Sequence, residues 1–218
     1  MTKRIEVFRD MYLHGPLANR IALRTALIEA ATEPWRVDLE QSADVANQAV
    51  ISEDVLLFRR EPSNEYPAVG LTLWGTDEGY YVPNIVPLQT GSLTFKQYNA
   101  VLTDFIADVV NPVISQFGFT IRTTESSQGL EDWVSPDVAV KLRRFSGAAN
   151  KSSGRSHPMD ERRWFEFVIA VHRSDRNLDP NRLARWLNEA EGWDEDSAHK
   201  LAGDFENSLS LLAQYDQG

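Results

Sequence analysis

Cysteine is absent from the 218 residues, which removes disulfides, thiolate nucleophiles and cysteine-held zinc together and suits a reducing compartment. No uncharged apolar run reaches the roughly 18 residues of a membrane span, so no membrane contact is expected. The opening MTKRIEVFRDMY carries charge where a signal peptide has its apolar centre, and the expected location is the cytoplasm. Histidine is scarce. His14, His157, His172 and His199 lack the short paired spacing of a zinc site, so neither a metal nor a cofactor is expected.

Catalytic templates are missing as well. The GAANKS segment at 147–152 has no second glycine before its lysine, as a phosphate-binding loop requires, and no serine stands in a G-x-S-x-G elbow. Asp104 and Asp108 lie one helical turn apart, as an acid and base pair would, but Lys96, Gln97, Asn111 and Ser115 share their side and make it a solvated face. No catalytic residue is assigned, and the balance is against an enzyme.

Positive charge is the scarcer sign. Twenty-two basic side chains against 32 acidic give a formal net charge of −10, which repels nucleic acid and anionic membranes. The distribution is uneven: seven basic residues and two acidic ones lie between Lys141 and Arg163, and ten acidic against four basic follow Ser174. A belt of Arg143, Arg144, Lys151, Arg155, Arg162 and Arg163, with His157 as an acid or base, is one way to hold a phosphorylated small molecule or a nucleic acid. The plainer reading is a solvated face that pairs with the acidic tail.

What is present organises around Leu93 to Gly118, LTFKQYNAVLTDFIADVVNPVISQFG. Apolar side chains from Phe95 to Phe117 recur at helical steps, Thr94 and Gln97 form a capping box, and Gly118 supplies a left-handed stop. Pro112 should kink the last turns. Before this helix, Asp54–Arg60, Ala68–Trp74 and Tyr80–Val86 read as strands of an antiparallel meander, with Thr76–Gly79 as a hairpin loop, and Phe119–Thr124 returns to the sheet. Residues 3–13 fit strand and helix equally. A helix follows Gly15-Pro16 and ends before Pro34, Trp35–Leu39 is a short strand, and Ser42 is placed as the cap of one or two turns.

From Ser126 the pattern is helical. Ser135-Pro136-Asp137 opens a helix to about Phe145, and SGAANKSSGRS at 146–156 has linker composition. Residues 163–173 alternate like a strand, yet the acidic front and basic back match a helix dipole, and helix is chosen. Asp179-Pro180 and Asp194 open two helices with Gly192 between them, an antiparallel hairpin. Asp194, Glu195 and Asp196 at the second helix's start argue against a DNA-reading helix-turn-helix.

The expected fold is therefore α+β: an antiparallel meander sheet of about four strands covered by a long central helix over residues 1–125, then a mainly helical region over 126–218. The expected function is a non-catalytic, prokaryotic protein-interaction protein, of the immunity, antitoxin or complex-subunit kind. Its partner would be a protein, anchored by Trp74, Tyr80 and Tyr81 beside the hairpin loop.

Overall fold

The computed structural model describes residues 3–48, 54–151, 157–175 and 178–218. The chain divides into two compact units, Glu6–Ser126 and Met1–Ile5 with Ser127–Gly218. Both classes of element are present, an antiparallel sheet and helices, as an α+β fold requires.

The Glu6–Ser126 unit holds a six-stranded sheet. Its strands are β1 (Met11–His14), β2 (Trp35–Val37), β3 (Val55–Arg60), β4 (Val69–Thr76), β5 (Gly79–Pro87) and β6 (Thr120–Thr123), in the order β2-β3-β4-β5-β1-β6, with every pairing antiparallel. The expected meander is β3-β4-β5. The sheet is wider than the expected four strands, because the short strand read at Trp35–Leu39 joins its edge as β2 and Met11–His14, too short to declare its period, inserts between β5 and β6. One face carries Leu13, Phe58, Leu71, Leu73 and Tyr80 into a core shared with Leu23 and Leu27 of helix α1 (Arg20–Ala30) and with Tyr98, Val101, Leu102 and Phe105 of helix α3 (Phe95–Phe105). Phe105 sets its ring edge against Trp35 and Phe58, with centroids 5.2 and 4.8 Å away.

Helix α3 starts as its sequence dictates. The Thr94 hydroxyl accepts from the Gln97 amide at 3.2 Å, and the Gln97 side chain accepts from the Thr94 amide at 3.0 Å. It does not run unbroken to Phe117. Ile106–Val110 widens so that the Asn111 amide donates five residues back, to Ile106 O at 2.8 Å, and a tighter turn at Ile114–Phe117 ends on left-handed Gly118, φ 72°. Pro112 is the cause, since it has no N–H and its ring cannot follow a regular turn.

Helix α2 (Leu39–Gln48) corrects a second expectation. Its first-turn amide at Gln41 is held by the Asp38 carboxylate at 2.9 Å, whereas Ser42 lies inside the helix, 2% exposed, donating to Asp38 O at 2.5 Å and accepting from Leu57 N at 2.8 Å. Ser42 therefore ties α2 to β3 rather than capping it.

The second unit is helical: α4 (Leu130–Trp133), α5 (Pro136–Ala148), α6 (Pro158–His172), α7 (Pro180–Arg185, prolonged by a wide turn at Trp186–Ala190) and α8 (Glu195–Tyr215). Residues 163–173 are helix, inside α6. Aromatic rings fill its centre, with Phe145 against Trp164 (5.0 Å) and Trp193 (5.5 Å), and Phe167 against Phe205 (5.7 Å). Ser146, read as the start of a solvated linker, is instead 1% exposed in the last turn of α5, where its hydroxyl accepts from Trp193 Nε1 at 2.8 Å and donates to Glu191 Oε2 at 3.2 Å. Residues 152–156 of that linker lie outside the described residues. Among the described residues no helix is long and apolar enough to cross a membrane.

Candidate functional site

Strand alternation turns alternate side chains of β1, β4 and β5 away from the core, so Leu13 and Tyr80 point in while Tyr12 and Tyr81 point out. The register then lines the outward residues up across four strands: Arg122 of β6 opposite Tyr12, Tyr12 opposite Tyr81, and Tyr81 opposite Trp74. The last of these pairings needs a bulge. Residues 82 and 83 of β5 both face Leu73, because Pro83 has no N–H to give the ladder, and the extra residue moves Tyr81 across from Trp74.

Tyr12 and Tyr81 have ring centroids 6.4 Å apart with planes 17° from parallel, and Tyr12 meets the His14 ring at 5.9 Å and 17°. Trp74 sets its edge to Tyr81 at 6.2 Å. All of these side chains are half-buried, so each packs on its neighbours and keeps part of its surface to solvent. Beside them lies a groove of about 520 Å³, lined by Tyr12, His14, Asp77, Glu78, Arg122 and Thr124 among others. His14 Nδ1 is 3.1 Å from Glu78 Oε2. The hairpin holds these together through Gly79, φ 141°, where an added Cβ would fall 2.0 Å from Leu13 O.

Of the three anchors named from the sequence, two lie on this face. Tyr80 does not: it is 1% exposed, and its hydroxyl donates to Asp54 Oδ2 at 2.7 Å. Burial first, and then that bond to a carboxylate, push its phenol well above the ordinary tyrosine range. The alternation places it in the core, and it offers no surface to a partner. Sequence reasoning missed Tyr12, His14, Glu78 and Arg122. The available signal was the four-residue alternation Met-Tyr-Leu-His, with two side chains in and two out.

The basic belt is drawn into ion pairs within the helical unit. Arg143 pairs with Glu131, Arg144 reaches Glu166 at 4.0 Å, Arg162 reaches the same carboxylate at 3.3 Å, and Arg163 holds Asp160 at 2.6 Å. The bond from Arg143, ahead of any other cause, holds the Glu131 carboxyl below its usual range. Lys151 donates to the Glu191 carbonyl at the end of the α7 segment, and His157 caps α6, its Nδ1 accepting from the Met159 amide at 3.2 Å. Arg155 lies outside the described residues.

Asp104 and Asp108 have structural partners. Asp104 accepts from the Tyr66 hydroxyl and from Arg60 at 3.0 Å, and Asp108 accepts from Trp35 Nε1 at 3.3 Å. Among the described residues no group of three or more histidine or carboxylate side chains is placed to hold a metal ion.

Fold and face together define an α+β protein whose all-antiparallel sheet keeps an aromatic outer surface. Residues 135–211, about a third of the chain and wholly within the helical unit, match a family model described as a domain of unknown function, DUF1889. No curated protein and no solved structure matches the chain.

Proposed function

We propose that the chain is a non-catalytic binding protein, of the immunity, antitoxin or complex-subunit kind, whose outer sheet face covers a basic surface of a protein partner. The observation that carries this reading is the cross-strand row of half-exposed Tyr12, Tyr81 and Trp74, since rigid aromatic side chains beside a polar rim are what protein interfaces use as anchors. Charge supports it. Residues 6–126 carry sixteen acidic and eight basic side chains, a formal −8 of the chain's −10, so most of the net negative field belongs to the unit that bears the aromatic row. Such a field speeds encounter with a cationic partner and disfavours anionic ones.

The basic belt gives less support to a phosphate or nucleic-acid ligand, because Arg143, Arg144, Arg162 and Arg163 already face carboxylates. The test is co-purification from the native host with three tagged forms: the parent chain, a Tyr12→Ala/Tyr81→Ala variant, and an Arg144→Glu/Arg162→Glu variant. A stoichiometric protein held by the parent and the arginine variant, and lost from the tyrosine variant, is the expected result. Loss from the arginine variant alone would overturn the reading.

A further inference from the structure

We infer that the groove beside Tyr12 seats a single arginine side chain of the partner, its guanidinium lying on the Tyr12 ring and forking to the Glu78 carboxylate. This rests on the binding reading above and names the chemistry of its anchor. Tyr12 stands on β1 and lines the groove together with His14, its ring nearly parallel to the His14 and Tyr81 rings at 5.9 and 6.4 Å between centroids, so a flat cation entering the groove meets aromatic side chains whose quadrupole attracts it. Glu78 lies one i,i+2 step along, at His14, and Asp77 beside it is exposed with no cation within reach among the described residues. The two carboxylates at one end give the cation its counter-charge. A planar guanidinium satisfies ring and carboxylate at once, whereas an ammonium satisfies one direction at a time.

Arg122 decides how many cations enter. It lines the same groove from β6, directly across from Tyr12, so Asp77 and Glu78 set against Arg122 leave the groove a formal −1. One partner cation balances that charge and a second would exceed it beside Arg122, so the groove suits one arginine flanked by neutral or acidic residues rather than a polybasic tract.

The probe is a blocked five-residue peptide with one central arginine among glycine and serine, titrated into the full ¹⁵N-labelled chain and followed by amide shifts. Saturating shifts centred on Tyr12, Glu78 and Tyr81 are expected, weaker by about fivefold when lysine replaces the arginine and absent with uncharged citrulline. Glu78→Gln, at an exposed site whose spectrum reports whether the fold is kept, should weaken binding about tenfold, which is about 1.4 kcal/mol. Tyr12→Phe should keep binding and Tyr12→Leu lose it. A peptide with two adjacent arginines should bind no tighter than one to the parent chain, and tighter to Arg122→Gln. Equal shifts for lysine and arginine, indifference to Glu78→Gln, or no saturation at these amides would overturn the arginine seat. If the partner is still lost from the Tyr12→Ala/Tyr81→Ala form in that case, the seat falls and the binding face stands; if it is retained there too, both fall.

Discussion

The Tyr80 hydroxyl donates to the Asp54 carboxylate at 2.7 Å, a bond that Arg20 and Arg24 flank at 3.3 and 3.1 Å. Its chain neighbour Tyr81 points the other way, onto the sheet's open face. Adjacent tyrosines therefore separate stability from binding. Tyr80→Ala should cost about 3–5 kcal/mol in denaturant unfolding, and Tyr80→Phe about 1 kcal/mol through the lost bond. Tyr81→Ala should cost under about 1 kcal/mol and act instead on the partner. Equal destabilisation by both alanines would contradict the assigned faces.

Three tyrosines resist ionisation. Burial raises Tyr80 and Tyr66 well above the ordinary range, helped by bonds to Asp54 and Asp104, and burial raises Tyr98 to about 12. A folded-state value above the unfolded one contributes stability that is whole below pH 10 and fades as pH rises through the folded value. An absorbance titration near 295 nm should accordingly show these three ionising late, together with loss of folded circular dichroism.

Glu131 gives the opposite sign. Arg143 holds its carboxyl down, so the pair stabilises the helical unit above the usual glutamate range, and that contribution is lost as pH falls through the lowered value. Both side chains are more than a third exposed, which limits the effect to about 0.5–1 kcal/mol. Glu131→Gln should lower the unfolding midpoint at pH 7, and the difference from the parent should shrink as acid protonates Glu131; a difference that stays constant as pH falls would refute the linkage.

Ser42 is the small side chain with a large expected effect. Its hydroxyl joins Asp38 O to Leu57 N inside a 2%-exposed site. Ser42→Ala leaves the Leu57 amide without that acceptor and should cost about 1–3 kcal/mol. Were Ser42 a surface cap in the first turn, the loss would be nearer 0.5–1 kcal/mol and fast amide exchange at Leu57 would already be seen in the parent.

Strong local signals were readable from residues alone. The Thr94–Gln97 capping box, the left-handed Gly118, the β3-β4-β5 meander and the cap at Asp194 each rest on a side chain that bonds its own neighbourhood. What escaped reading depends on distant partners. Met11–His14 spans too few residues to fix a period, and only its place between Gly79–Tyr81 and Thr120–Thr123 makes it a strand. Ser42 and Ser146 look polar and exposed until Leu57, Trp193 and Glu191 close over them. The same holds for the candidate face: Trp74 and Tyr81 drew notice as aromatics beside a turn, while Tyr12 and Arg122 join them only through cross-strand register.

Hydrogen exchange read by mass spectrometry, on the chain alone and with its co-purified partner, shows which surface the partner covers. With the outer sheet face as the interface, exchange slows in segments 11–14, 72–84 and 120–124 and is unchanged in 141–151 and 158–163. Protection confined to those belt segments, with the sheet face exchanging as in the free chain, would contradict it.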